Sequence, residues 1–295
     1  MATLRELKGR IGSVASSEKI TGAMKMISSA KMHKAEGSLR RLVPFKSQIQ
    51  AIMANILSSD ATFTSPLTTP RKEVKNHTII VWGSDDGLCG AYNVNIVKGL
   101  TKRVSEIRQS NRDIAVNIIA VGKKMFKASS KLAELVPGVT VSQSELDSKA
   151  EGKTVDNFML VWQKKYEKNE TDCVEAMYMH FKTAGRQVLT NVQLLPVEPE
   201  IFTPSDKVVT GRPYIFEPDA NAIFNAVLPM FLLSTMQEIF IENRASEQAA
   251  RVMAMQSAND NAKTLLEELN LEYNKLRQQS ITSELLDIVG GHSRE

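Results

Sequence analysis

The residues best placed to do chemistry lie in VWGSDDGLCG, residues 81–90. A short apolar run leads in and a helical pattern leads out, the setting in which glycine-rich turns cradle phosphate. The glycines stand at 83, 87 and 90. That is neither GxGxxG nor GxxxxGK[ST], and the loop has no lysine. Adjacent Asp85 and Asp86 would repel a phosphate. The loop therefore reads first as a tight strand-to-helix turn, second as a protein-docking loop and third as a nucleotide site. As an acid–base pair, Asp85 and Asp86 lack a second polar cluster at other strand ends, so a solvated loop is the preferred reading.

Other reactive types are thinly spread. Cys89 and Cys173 form no CxxC, and His33, His77, His180 and His292 form no HExxH. No disulfide framework, no metal site and no cofactor is expected, and no Ser/His/Asp or Cys/His set assembles. Lys25, Arg251, Gln278 and Glu284 lie among apolar or small neighbours on long helical patterns. A solvated helix face is the default for each; as a group they could catch a partner surface.

The elements that would position these residues are of two kinds. TLRE at 3–6 is a capping box, followed by the stripe Leu4, Leu7, Ile11 and Val14. The stripe then changes phase across small residues 12–17 and resumes at Ile20, Ala23/Met24 and Ile27. The helix would be thin there. Pro44 should kink or break the helix, which continues to about Leu57. Residues 58–76 read as a linker. Then come an apolar strand at 78–82, a helix at about 93–109, a strand at 114–121, a helix through Leu135, a short strand at 139–141, a helix at 154–168, and a hairpin of 173–182 with 187–196. Alternating strands and helices imply a mostly parallel α/β layer with an antiparallel edge. Residues 196–213 form a second, mobile linker. Asp219 is a plausible N-cap for a helix that Gly290 and Gly291 stop. Its stripe is Val252, Met255, Ala262, Leu265, Leu269, Tyr273 and Leu276, with an irregularity at Pro229. The fold class expected is α/β: a long antiparallel coiled coil of the N- and C-terminal helices plus a central Rossmann-like α/β domain. The domains are 1–58, 76–200 and 213–290.

Composition agrees with a connector. The 295 residues include 13 Met but only 6% aromatics, a balance suited to helix seams. The basic bias of residues 1–50 against the acidic bias after 240 favours pairing of the two ends. A nucleic-acid arm is not favoured, since no aromatics interleave the bases. No signal peptide or membrane span is read.

Three motifs together carry a resemblance. KITGAMKMISSAK at 19–31 resembles the N-terminal signature of the gamma-subunit family of F-type ATP synthases. SDDGLCGAYN at 84–93 resembles that family's SDRGLCGxxN loop. ASEQAARVMAM at 245–255 and ITSELLDIVG at 281–290 are similar to its C-terminal helix. Asp86 departs from the family's basic residue, and Asp287 replaces the common Glu. The resemblance implies a central rotor shaft that couples proton flow through a membrane ring to catalytic sites on beta subunits, without catalysis of its own. It implies three alpha and three beta subunits, an epsilon subunit and a membrane c-ring as partners. It places the chain peripherally on the cytoplasmic face of a bacterial inner membrane. Met24, Lys25, Arg251, Gln278, Thr282 and Glu284 fall in motifs at or near beta-subunit contacts, and Asp85, Asp86 and Leu88 become a docking loop. The alternatives are a coiled-coil adaptor outside any motor and an α/β nucleotide-binding enzyme with coiled-coil arms.

Overall fold

The computed structural model describes residues 3–58, 63–147, 150–202 and 216–292, with side chains to Leu286. The chain divides into two compact units. One holds residues 1–29 and 251–295; the other holds 30–250. The boundaries fall within two long helices, α1 (Leu4–Leu57) and α5 (Ala220–His292).

The larger unit is built on five strands: β1 (Asn76–Trp82), β2 (Ala115–Val121), β3 (Val139–Gln143), β4 (Cys173–Thr183) and β5 (Arg186–Leu195). Their order is β3-β2-β1-β4-β5, with β5 antiparallel to β4 and the rest parallel. Helices α2 (Tyr92–Ser110), α3 (Lys123–Leu135) and α4 (Gly152–Glu167) make the crossovers. β1 is apolar on both faces because both are covered. One face packs on Ile96, Leu100 and Val104 of α2 and Met125 and Leu132 of α3. The other packs on Val155, Met159 and Trp162 of α4, on Ile49, Met53 and Ile56 of α1, and on α5 from Phe224 to Phe240. In this unit α1 and α5 run antiparallel: Lys46 pairs with Glu238, whereas Met32 and Ala35, earlier in α1, pack with Ala245 and Ala249, later in α5.

The capping box forms, with Thr3 N–H donating to Glu6 Oε2 at 2.8 Å and Glu6 N–H to Thr3 Oγ1 at 3.3 Å. Asp219 caps α5 through Ala222 N–H at 2.8 Å. α1 runs on past Pro44 to Leu57, as expected, because Ile49, Met53 and Ile56 are buried in the core beyond it. Two expectations are corrected. Gly290 and Gly291 do not end α5, which continues to His292; glycine weakens a helix by about 1 kcal/mol but stops it only in a left-handed turn. The segment after α1 is packed as well: Leu67 is buried, and Thr64 N–H donates to Asn221 of α5. Within the second linker a short 3-10 turn covers Pro199–Phe202, and residues 203–215 lie outside the described residues.

Candidate functional site

In an open parallel sheet, ligands bind beyond the carboxyl ends of the strands where the strand order reverses. Here that point lies between β1, whose crossover leads to β2, and β4 on its other side. The 83–90 loop opens there, but the crevice is filled by α5. Asn243, buried, donates through Nδ2 to the Gly83 carbonyl at 3.1 Å. Its Oδ1 accepts from the Tyr92 hydroxyl at 2.7 Å. The next turn of α5 continues the contact, with Ser246 Oγ donating to the Met179 carbonyl of β4 at 2.7 Å. The chain's own helix thus takes the hydrogen bonds a ligand would use.

The loop is held from within. Asn93 Oδ1 accepts from Ser84 N–H at 3.1 Å, and Asn93 Nδ2 donates to Ser84 Oγ at 2.7 Å. Asp85 accepts from Lys123 N–H at 3.0 Å and so caps the start of α3. Asp86 borders a pocket of about 240 Å³ lined also by Lys31, Lys34, Ile241, Arg244 and Glu247. Leu88 is different. It sits in the left-handed region at φ 62° with its side chain 61% exposed, a conformation costing an L residue roughly 1–2 kcal/mol. The loop holds an apolar side chain outward. The loop's polar groups are taken up within the chain, and Leu88 stands outward from it.

One buried cluster was not singled out in the sequence. His77, Cys173 and Glu175 bring ligand-type atoms within 4.8 Å of one another. The carboxylate is already spent, however. Arg103 grips both Glu175 oxygens, Asn191 donates at 2.7 Å, and His77 Nε2 lies at 3.1 Å. Burial pushes the Glu175 pKa up, but the His77, Arg103 and Asn191 contacts outweigh it and hold it at about 2. Burial, aided by the Glu175 charge, raises Cys173 to about 12. With the carboxylate held by Arg103, Asn191 and His77 and the thiol protonated beside it, the cluster forms a buried charge network. Only spacing across three strands could have revealed it.

The smaller unit is a two-helix seam. On α1 it runs Leu4, Leu7, Ile11, Val14, Glu18, Thr21, Lys25 and Ser28, in unbroken steps of three and four, each buried or half-buried. On α5 it runs Met255, Asn259, Ala262, Leu266, Leu269, Tyr273, Leu276 and Ser280, a heptad pattern. The expected phase change near 12–17 does not occur. Polar residues carry the same seam onward, and Asn259 Nδ2 donates to the Glu18 carbonyl at 2.7 Å. Ile20, Met26 and Ile27 instead face outward, at 59%, 69% and 56% exposure. Leu265 likewise yields its seam place to Leu266.

A family profile described as ATP synthase matches residues 3–293. A relative named ATP synthase gamma chain, from Bacteroides thetaiotaomicron, is 39% identical over 99% of both chains. The chain belongs to the ATP synthase gamma chain family. Another gamma chain, from Polynucleobacter asymbioticus, is 34% identical over 99% of both chains. Among solved structures, a chain of the Euglena gracilis mitochondrial ATP synthase is similar at a TM-score of 0.65, with 18% identity, covering 98% of this chain and 93% of its own. That likeness is one of fold. As a gamma-family member the chain is part of a membrane-associated complex and is not itself the catalytic subunit.

The residues that the resemblance ties to beta contacts stand in two groups. Met24 and Lys25 are half-buried on α1, and Arg251 is buried on α5. Gln278, Thr282 and Glu284 are exposed further along α5. Glu284 accepts from Ser280 Oγ at 3.3 Å, and Thr282 Oγ1 donates back to the Gln278 carbonyl at 2.8 Å.

Proposed function

We propose that this chain is the central rotor shaft of a proton-driven F-type ATP synthase. The observation that carries the reading is a seam satisfied within the chain that leaves Ile20, Met26, Ile27, Ile281, Leu285 and Leu286 outward on full-length gamma-family helices. Large aliphatic side chains held outward on a helix pair suit a surface that is enclosed by partners yet must move past them.

In this reading the coil turns inside a ring of three alpha and three beta subunits. Met24, Gln278, Thr282 and Glu284 belong to the beta-contacting surface, with Lys25 at the seam and Arg251 buried beneath it. An asymmetric pair of helices presents different side chains to three equivalent sites. Each orientation therefore stabilises a different set of site conformations, and rotation carries that bias around the ring. The sheet-bearing unit meets epsilon and the membrane c-ring, with Leu88 as the exposed anchor of the docking loop and Asp85 and Asp86 at its base. The complex lies on the cytoplasmic face of a bacterial inner membrane. ATP is made in the beta subunits, and this chain binds no cofactor.

Affinity capture tests the assembly directly. A tagged chain expressed in its own cell and drawn from detergent-solubilised membranes should bring alpha, beta, epsilon and c-ring subunits. Recovery of a monomer or homodimer alone contradicts the reading. The adaptor alternative predicts partners without a ring of nucleotide-binding subunits.

A further inference from the structure

β4 outruns its neighbour. Its last partner on β1 is Met177, so residues 178–183 continue with β5 alone as a two-stranded ribbon. Such a ribbon is marginal in water unless something packs on it. Here both long helices do. Phe181 is buried among Met32 and Ala35 of α1 and Ala245 and Ala249 of α5. Ser246 Oγ bonds the Met179 carbonyl on the edge that β1 has left. On the opposite face, His180 Nδ1 stands 2.7 Å from Glu242 Oε2 of α5, with Glu242 only 4% exposed.

We infer that the β4–β5 overhang is a proton-sensitive clasp on α1 and α5, with the His180–Glu242 pair as its sensing element. The pair shares one proton in either of two arrangements, a neutral acid with a neutral imidazole or a carboxylate with an imidazolium. Both have no net charge. Losing that proton leaves a buried carboxylate whose only compensation is hydrogen bonding, and the clasp is weakened.

The surroundings sharpen this. From β4, Tyr178 also hydrogen-bonds Glu242. From α5, Glu238 adds a second negative charge, and Lys46 of α1 pairs with it. Lys182, two residues along the same strand face, is exposed. Lys46 is thus committed to Glu238, leaving His180 as the partner whose protonation decides the charge at Glu242. Burial raises the Glu242 pKa, opposed by the His180 contact, so the negative pair is the costly state. The clasp is therefore tight while the pair holds its proton and loosens as rising pH removes it.

Amide hydrogen exchange on the full-length chain tests this independently of the rotor reading. After correction for intrinsic exchange, protection of residues 178–190 relative to Ile79–Val81 should fall about tenfold from pH 6 to pH 8. His180→Gln keeps a hydrogen bond to Glu242 without a titrating proton and should abolish that dependence, as should Glu242→Gln. The sheet amides report in the same experiment whether each variant folds. A wild-type ratio that does not change with pH overturns the inference, even if the variants do not fold. So does a His180→Gln chain that retains the full dependence.

Discussion

Asn243 of α5 donates to the carbonyl of Gly83, at 3.1 Å, where the first strand of the sheet turns into its loop. With the Tyr92 hydroxyl on its other end, one buried amide closes the crevice in which sheets of this topology hold ligands. In this chain the contact closes the crevice over a loop that has no lysine and carries Asp85 and Asp86, so two independent features stand against a nucleotide there.

Replacing Asn243 tests that statement. Asn243→Leu removes the side-chain donor to the buried Gly83 carbonyl, at a cost of roughly 1–3 kcal/mol, while the Tyr92 hydroxyl keeps the backbone carbonyl of residue 243 at 3.2 Å. Thermal denaturation should show a clear loss of stability. Calorimetry with ATP or ADP should still show no binding, since the loop has no lysine and keeps Asp85 and Asp86. A nucleotide-binding variant would show that α5 blocks an otherwise competent site.

The second prediction concerns acid. Glu175 has a folded pKa of about 2 against an ordinary 4.5. A carboxylate with a lowered pKa stabilises the fold fully above its ordinary value, and that contribution fades as pH falls from about 4.5 toward 2. Arg103→Ala should destabilise the chain at neutral pH by the lower end of roughly 3–5 kcal/mol, because the guanidinium is partly exposed. The difference between wild type and variant should shrink in acid. Urea titrations at pH 7 and pH 3 read both values; a gap that widens in acid would refute the assignment.

The corrected seam makes a third. Leu269 is 3% exposed, whereas Ile20 and Ile27 are more than half exposed. Leu269→Ala should cost about 2–5 kcal/mol. Ile20→Ser and Ile27→Ser should each stay within about 0.5 kcal/mol while weakening assembly with the ring subunits. Helical content followed on heating, together with capture yield, separates the two effects. Serine variants as unstable as the Leu269 variant would restore the seam drawn through Ile20 and Ile27.

That seam shows where sequence reasoning stops. The strands from Asn76 to Leu195, the hairpin and both caps were legible because they are written in local patterns: apolar runs, Thr3 with Glu6, Asp219 before a helix. The heptad on α1 was not, since Glu18, Thr21, Lys25 and Ser28 occupy seam positions that hydrophobic periodicity scores as surface. Ile20 and Ile27 drew the stripe away because apolar residues look like core in a sequence even where they are exposed. On α5 the same rule chose Leu265 over its neighbour Leu266. The role of Asn243 was invisible for another reason. It depends on contacts 160 and 151 residues away, with Gly83 and Tyr92, and an asparagine on a helix gives no local sign of them. The motif resemblance reached the family from end to end, but the motifs do not say which of their residues face inward.

The claim that this chain turns while its partners stand still is tested most directly by watching it. With the ring of alpha and beta subunits fixed to a surface and a probe attached at the exposed hairpin tip, Ala184–Gly185, ATP should drive stepwise rotation of the probe in one direction. A probe that stays fixed while the same complexes hydrolyse ATP would contradict the rotor account.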